Sequence, residues 1–184
     1  MSLFLIPLLL GFILCSASAF TTFFSQRWGA LGATYAVVIL RDFLGIPAWV
    51  VGLLLAFRLE NPFIMQPSSL TDILGWLVIL FGAVPGIWGL LVLRRRSYAP
   101  TIHDTLAAIG PYAFIRHPIY SGLALQLLGL LFLRPTLPAL LASLLTTAWI
   151  NVQVRLEESD LASRMSAYLA YMERVPRFIP KIKR

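Results

Sequence analysis

Cysteine and charge are the two things this chain has least of. A single cysteine, Cys15, stands among 184 residues with two histidines, so no internal disulfide can form and no Cys/His metal cluster can be assembled. Charged residues make up 12% of the chain against 59% hydrophobic ones, and the mean hydropathy is +0.82. A soluble domain carries about 25% charge and about 45–50% apolar residues. There is too little polar side chain here to coat a water-facing globule, which excludes a soluble enzyme and predicts an integral membrane protein. The formal charge of +7 raises nucleic acid as a partner. The basic residues stand at the ends of apolar runs, however, where anionic headgroups and membrane topology account for them, so no nucleic-acid partner is expected.

What is present is a series of apolar runs. A bilayer core about 30 Å thick takes about 20 apolar residues as helix, and five runs approach that length. Residues 3–20 have no charged flank before them and only a weak Ala17-Ser18-Ala19 cleavage pattern, so they read as a retained span rather than a signal peptide. Residues 29–57 are interrupted by Arg41-Asp42 and by Gly45-Ile46-Pro47, giving one kinked helix or two half-spans. An ion pair at that depth must face protein or water. It either lines a cavity or merely neutralises itself, and the second is preferred. Residues 70–93, 119–133 and 136–152 follow, with Pro85 tolerated as a kink. Arg94-Arg95-Arg96 mark a cytoplasmic end, and so do Lys181, Lys183 and Arg184 in the tail. The expected fold is all-α: a polytopic membrane helix bundle of about five transmembrane helices, N-terminus outside, with one amphipathic cytoplasmic helix over residues 161–172.

Two polar clusters fall on that cytoplasmic side. The first reads Gly110-Pro111-Tyr112-Ala113-Phe114-Ile115-Arg116-His117-Pro118-Ile119-Tyr120-Ser121-Gly122. Gly110-Pro111 makes a turn, and Pro118 suits the first turn of a helix, where its missing N–H is no loss. Arg116 and His117 then stand at a helix N-terminus, which attracts carboxylate or phosphate. An interfacial belt of tyrosine and arginine is the competing reading. The second cluster is Arg155-Leu156-Glu157-Glu158, followed by Asp160, Tyr168, Tyr171 and the ending Val175-Pro176-Arg177-Phe178-Ile179-Pro180. Adjacent glutamates acquire interest if the first cluster holds a cationic group.

These elements, in this order and spacing across residues 104–180, resemble the isoprenylcysteine carboxyl methyltransferase and phospholipid methyltransferase superfamily. The resemblance implies an S-adenosyl-L-methionine-dependent integral membrane methyltransferase, releasing S-adenosyl-L-homocysteine, in a bacterial inner membrane or the endoplasmic reticulum. It also implies a cofactor pocket facing the cytoplasm and a lipophilic acceptor arriving from the bilayer. Residues 1–184 are then one membrane domain, with N-terminal spans in 1–93 and the catalytic core in 94–184.

Carried over by position, Asp104, Thr105, Leu106, Ala107, Tyr112, His117, Pro118, Ile119, Tyr120 and Glu157 would bind the cofactor. Arg116 and Arg155 would orient a carboxylate acceptor, as on a prenylated cysteine, and Glu158 would serve as base for a phospholipid amine. Three departures bear on the acceptor. Gln153 stands where carboxyl-methylating relatives keep arginine, Arg164-Met165 replaces Phe-Gly, and Asp104 replaces histidine with His103 beside it. The carboxyl acceptor leads, with phospholipid N-methylation or thiol S-methylation as alternatives. An NADPH-dependent membrane reductase of similar fold and a non-enzymatic scaffold are the readings from other classes.

Overall fold

The computed structural model describes residues 3–58, 61–94 and 105–181. Seven α-helices run through them: α1 (Leu5–Ser18), α2 (Thr21–Val37), α3 (Ile46–Arg58), α4 (Ser69–Leu93), α5 (Pro118–Leu133), α6 (Leu137–Arg164) and α7 (Ser166–Arg174). A π-helical turn, Val38–Gly45, joins α2 to α3, and a 3-10 turn, Gly110–Ala113, precedes α5. Extended pairing among the described residues is confined to one bridge between Phe63 and Thr136. This is an all-α membrane helix bundle. Thr21–Arg58, Ser69–Leu93 and Leu137–Arg164 are long and apolar enough to cross a bilayer, and Leu5–Ser18 and Pro118–Leu133 are shorter apolar helices beside them.

From Gly29 onward the second run is one helical feature through the π turn to Arg58, and a helical segment from Thr21 precedes it across Gly29. Gly29 kinks α2 with φ +73°, a left-handed value that costs glycine nothing. The Gly-Ile-Pro stretch does not break the helix. Pro47 is the second residue of α3, where the hydrogen-bond pattern is changing from π to α and a missing N–H is least costly. The last run also outreaches expectation, because α6 continues as far as Arg164 and carries Gln153, Glu157 and Glu158 on one rigid rod.

The expected amphipathic helix over 161–172 is corrected in two respects. Met165 is extended (φ −131°, ψ 99°), so Leu161 belongs to α6 and only nine residues form α7. Its covered face is Tyr168 and Tyr171, each 3% exposed, whereas Leu169 points outward at 56%. Aromatic hydroxyls with partners inside the protein win this face over the aliphatic side chains.

Helix α4 shows which solvent the fold is built for. Its buried residues are Gly75, Gly82 and Gly89, seven apart, while Leu70, Trp76, Leu80 and Phe81 stand about 60% exposed. A water-soluble helix has the opposite arrangement. In lipid, burying a leucine against protein gains little over leaving it in acyl chains, and small residues that allow close backbone contact hold helices together. Gly122 and Gly129 of α5 face the α4 glycines: a Cβ added at Gly82 would lie 2.7 Å from the Gly122 carbonyl oxygen, and one at Gly129 would lie 2.6 Å from that of Gly75. Helix α3 packs antiparallel on α1 in the same manner, with Gly52 against Leu8 and Gly11 against Trp49.

The helical pairs α4/α5 and α1/α3 are bridged by α6, which packs on α1, α2, α3 and α5. Helix α4 packs extensively on α5 but not on the second span. A gap therefore remains between the two layers. At one end of the bundle Ile64 N–H donates to the Pro135 carbonyl over 2.7 Å. At the other, Thr22 N–H donates to Asp160 Oδ1 over 2.9 Å, so an acid from α6 meets the positive end of α2, whose own N-cap residue, Phe20, supplies no side-chain cap. The gap opens at this second end.

Candidate active site

The gap holds a cavity of about 680 Å³. One wall comes from Thr105, Leu106, Ala107 and the start of α5, a second from α6, and a third from α1, α2, the π turn and α3. Tyr168 and Tyr171 of α7 line it at the Asp160 end.

Glu157 lines this cavity. Its Oε1 accepts from the Tyr120 hydroxyl over 2.5 Å and from Gln153 Nε2 over 2.9 Å. Among the described residues no cationic side chain reaches salt-bridge distance of it. Such a carboxylate is partly solvated by neutral donors and retains the capacity to hold a cation.

Glu158, one residue on, is rotated about a hundred degrees around the helix and lives in a different environment. It is 3% exposed and does not line the cavity. Arg116 Nη2 pairs with its Oε1 at 2.9 Å, His117 Nε2 lies 3.2 Å from the same oxygen, and Arg177 Nη2 pairs with Oε2 at 2.6 Å. Arg116 Nη1 also donates to the carbonyls of Met172 (2.6 Å) and Val175 (3.1 Å), satisfying acceptors that the end of α7 leaves open. The backbone N–H groups of Arg116 and His117 donate to the carbonyls of Pro176 and Arg177 over 2.9 and 3.0 Å, and Ser121 Oγ donates to that of Phe178 over 3.0 Å. The C-terminal segment is thereby strapped across the Arg-His-Pro turn.

The structure brings Thr105, Leu106, Ala107, Tyr112, His117, Ile119, Tyr120 and Glu157 to one cavity. Asp104 lies outside the described residues, as do His103, Arg95, Arg96, Lys183 and Arg184. Pro118 does not line the cavity; it is buried and packs near Gly89. Arg155 is exposed on α6 away from the cavity. Arg116 lines the cavity, but its terminal nitrogens are engaged and its Nε is buried without a partner. A free role for Arg116, Arg155 or Glu158 at an acceptor is thus opposed by their placement.

Arg41 and Asp42, read from the sequence as a pair that neutralises itself, also line the cavity, as do Asp160 and Arg164; Trp49 and Gln126 line it too and carried no signal that spacing alone could read. Arg177 was visible only as part of a terminal motif. Outside the spans, burial pushes the phenols of Tyr112 and Tyr168 well up, with Glu157 and Glu158 respectively adding to the effect. Burial takes that of Tyr171 to about 12. These phenols stay neutral donors, and the Tyr171 hydroxyl donates a hydrogen bond to the Tyr112 carbonyl over 2.6 Å. Hydrogen bonding to Glu158 raises the Arg177 guanidinium further above its ordinary range.

A membrane bundle with a mixed-charge cavity open at one end is the class these features define. The profile of the phospholipid methyltransferase family matches residues 70–165, and the chain belongs to that family, within the membrane methyltransferase superfamily that also holds the isoprenylcysteine carboxyl methyltransferases. The chain is similar to a cobalt-zinc-cadmium resistance protein, CzcN, of Cupriavidus metallidurans, with 31% identity over 119 residues, 64% of this chain. It spans about half of that protein's length (52%). No solved structure matches the chain.

Proposed function

We propose that this protein is a methyltransferase that uses S-adenosyl-L-methionine to methylate a lipophilic acceptor drawn from the bilayer. The observation that carries the reading is Glu157: a carboxylate with no ion-pair partner among the described residues, facing a cavity of about 680 Å³ beside the N-terminus of α5, which has no side-chain cap. Small-molecule sites occupy about 300–1,000 Å³, so the volume suits a nucleoside-sized ligand. The donor set suits it too. Glu157 would take its cationic or ribose hydroxyl part, and the first turn of α5 with His117 would take its carboxylate. Thr105, Leu106, Ala107, Tyr112, Ile119 and Tyr120 would line the remainder.

S-adenosyl-L-methionine supplies a methyl group on a sulfonium: the acceptor's lone pair forms the new bond while the carbon–sulfur electron pair stays on sulfur as a thioether. The protein's own contribution is then positioning and exclusion of water. The Arg177–Glu158–Arg116 strap holds the start of α5 and the end of α6 in register, and Tyr168 and Tyr171 line the cavity beside them. The gap between α4 and the second span supports lateral entry of the acceptor. Arg94, Arg155, Arg174 and Lys181 cluster at the cavity end, against Arg58 and Arg134 at the other, which supports a cytoplasmic site by the positive-inside rule.

The test is calorimetric titration of S-adenosyl-L-homocysteine into the protein in lipid nanodiscs. Wild type binds, and Glu157→Gln weakens binding by roughly tenfold or more, because a hydrogen bond to a charged group contributes about 1.5–3 kcal/mol. Wild type that binds NADPH and not the homocysteine product overturns the reading.

A further inference from the structure

The start of α2, outside the family-matched residues 70–165, is set apart from the helices on either side of it. Residues 21–28 lie between two breaks in the backbone. Phe20 before them has φ −85° and ψ 53°, and Gly29 after them has φ +73° and ψ 174°, a combination that glycine alone adopts without strain. The second break is a sharp bend. Phe24 shares a buried cluster with Ala33 and Val37, which would stand about 14 and 20 Å further along a straight helix. The segment therefore folds toward the span it precedes, with Phe24 stacked on Trp28 at 5.5 Å between ring centroids.

Its attachment to the rest of the bundle is slight. Within residues 21–28 only Thr21 and Phe24 are buried, and Phe23 and Trp28 are about 60% exposed. The tie to α6 is the bond from Thr22 N–H to Asp160 Oδ1 over 2.9 Å. Arg164 Nε donates to Asp160 Oδ2 over 3.0 Å, so the acid is braced on its own helix while it reaches across to another. Arg41 and Asp42, on the same cavity wall, instead pair with each other at 2.7 Å. Thr22 Oγ1 is buried at this seam without a partner, an unmet hydroxyl that opening to water would satisfy. The seam lies at the mouth: Ser18, Ala19 and Thr21 line the cavity together with Asp160 and Arg164.

We propose that residues 21–28 are a gate over the cavity mouth, hinged at Phe20 and Gly29 and latched by Asp160 to the Thr22 backbone N–H, whose opening admits water-borne ligands. Segments with few buried contacts open ahead of the global fold, and a few residues at the ends of an element absorb the change in φ and ψ. A single backbone bond to a braced carboxylate closes the gate without holding it permanently shut. Whatever ligand the cavity takes, such a gate lets it exchange with water and then excludes water from it.

The chain carries its own reporter. Cys15, the sole cysteine, lines the cavity at 4% exposure, one helical turn inside the mouth, where Ser18 Oγ donates to its carbonyl over 2.6 Å. Mass spectrometry follows its labelling in nanodiscs by a cationic, membrane-impermeant methanethiosulfonate. Wild type reacts slowly. Thr22→Pro deletes the latch donor in the first turn of the helix, where proline is tolerated, leaves the Asp160–Arg164 pair in place, and speeds labelling at least tenfold. Gly29→Ala, strained at this φ and ψ, does the same from the hinge. In both, hydrogen exchange rises in residues 21–28 and stays near wild type in residues 30–37. Gly122→Val loosens the α4/α5 contact far from the gate and changes the labelling rate less than threefold. Labelling unchanged in both Thr22→Pro and Gly29→Ala, or raised as much by Gly122→Val, overturns the gate.

Discussion

Replacing Glu158 by alanine tests the distinction between the two adjacent glutamates most directly. The substitution removes the common partner of Arg116 and Arg177, whose side chains are 8% and 37% exposed. Breaking a buried ion pair by deleting one partner costs about 3–5 kcal/mol. Arg177 can turn into water and recover most of its share, as exposed pairs contribute little. Arg116 cannot, although its bonds to the Met172 and Val175 carbonyls offset part of the loss. About 3 kcal/mol remains, which at roughly 2–4 °C per kcal/mol for a chain of this size corresponds to about 6–12 °C in midpoint. Tryptophan fluorescence on heating in nanodiscs measures that shift. Hydrogen exchange then locates it: the Arg116 and His117 amides, which donate to Pro176 and Arg177, lose protection ahead of the helices. Glu157→Ala, which breaks no ion pair but leaves the Tyr120 and Gln153 donors unpaired, lowers the midpoint by less and leaves the Arg116 and His117 amides protected. A midpoint within about 2 °C of wild type for Glu158→Ala, below 1 kcal/mol on the same scale, with protected amides would refute the strap.

Gly122→Val drives a side chain into the Gly82 carbonyl and the Gly86 backbone, neither of which can rotate away. Overpacking of this kind costs about 1–3 kcal/mol, and thermal unfolding in nanodiscs should fall accordingly, while Gly86→Ala, where an added Cβ meets nothing, should not. Asp160→Asn keeps the hydrogen bond to Thr22 N–H but drops the charge at the α2 terminus, a loss of about 0.3–1 kcal/mol, and also the ion pair with Arg164; hydrogen exchange in residues 21–24 should rise severalfold and the thermal midpoint should fall as well. Because Tyr171 has its phenol raised to about 12 from an unfolded value near 10, its stabilising contribution is complete below about pH 10 and is lost as pH rises through about 12. Tyr171→Phe should delete one late step from the ultraviolet tyrosinate titration, and an unchanged titration would contradict its burial.

The apolar runs, the helical class and the five hydrophobic segments were all legible in the sequence, because lipid demands internally satisfied backbone and apolar side chains wherever a chain crosses it. The family resemblance, more than spacing, pointed to Tyr112, His117, Tyr120 and Glu157 as one group, and all four line the cavity, with Pro118 starting α5 and the motif at its end. What spacing could not assign was phase and partner. Glu157 and Glu158 are indistinguishable as neighbours in a string, yet the rotation of α6 turns one toward the cavity and the other into Arg116, Arg177 and His117. Arg116 looked free until Glu158, Met172 and Val175 arrived from 42 to 59 residues away. Arg41 and Asp42 read as a pair that neutralises itself, which they are, but only the π turn puts them on the cavity as well. Covalent order determined which segments enter the membrane and which polar residues lie at their ends. Helix rotation and long-range pairing, which depend on the packing of all five segments together, decided which of those residues meet the cavity.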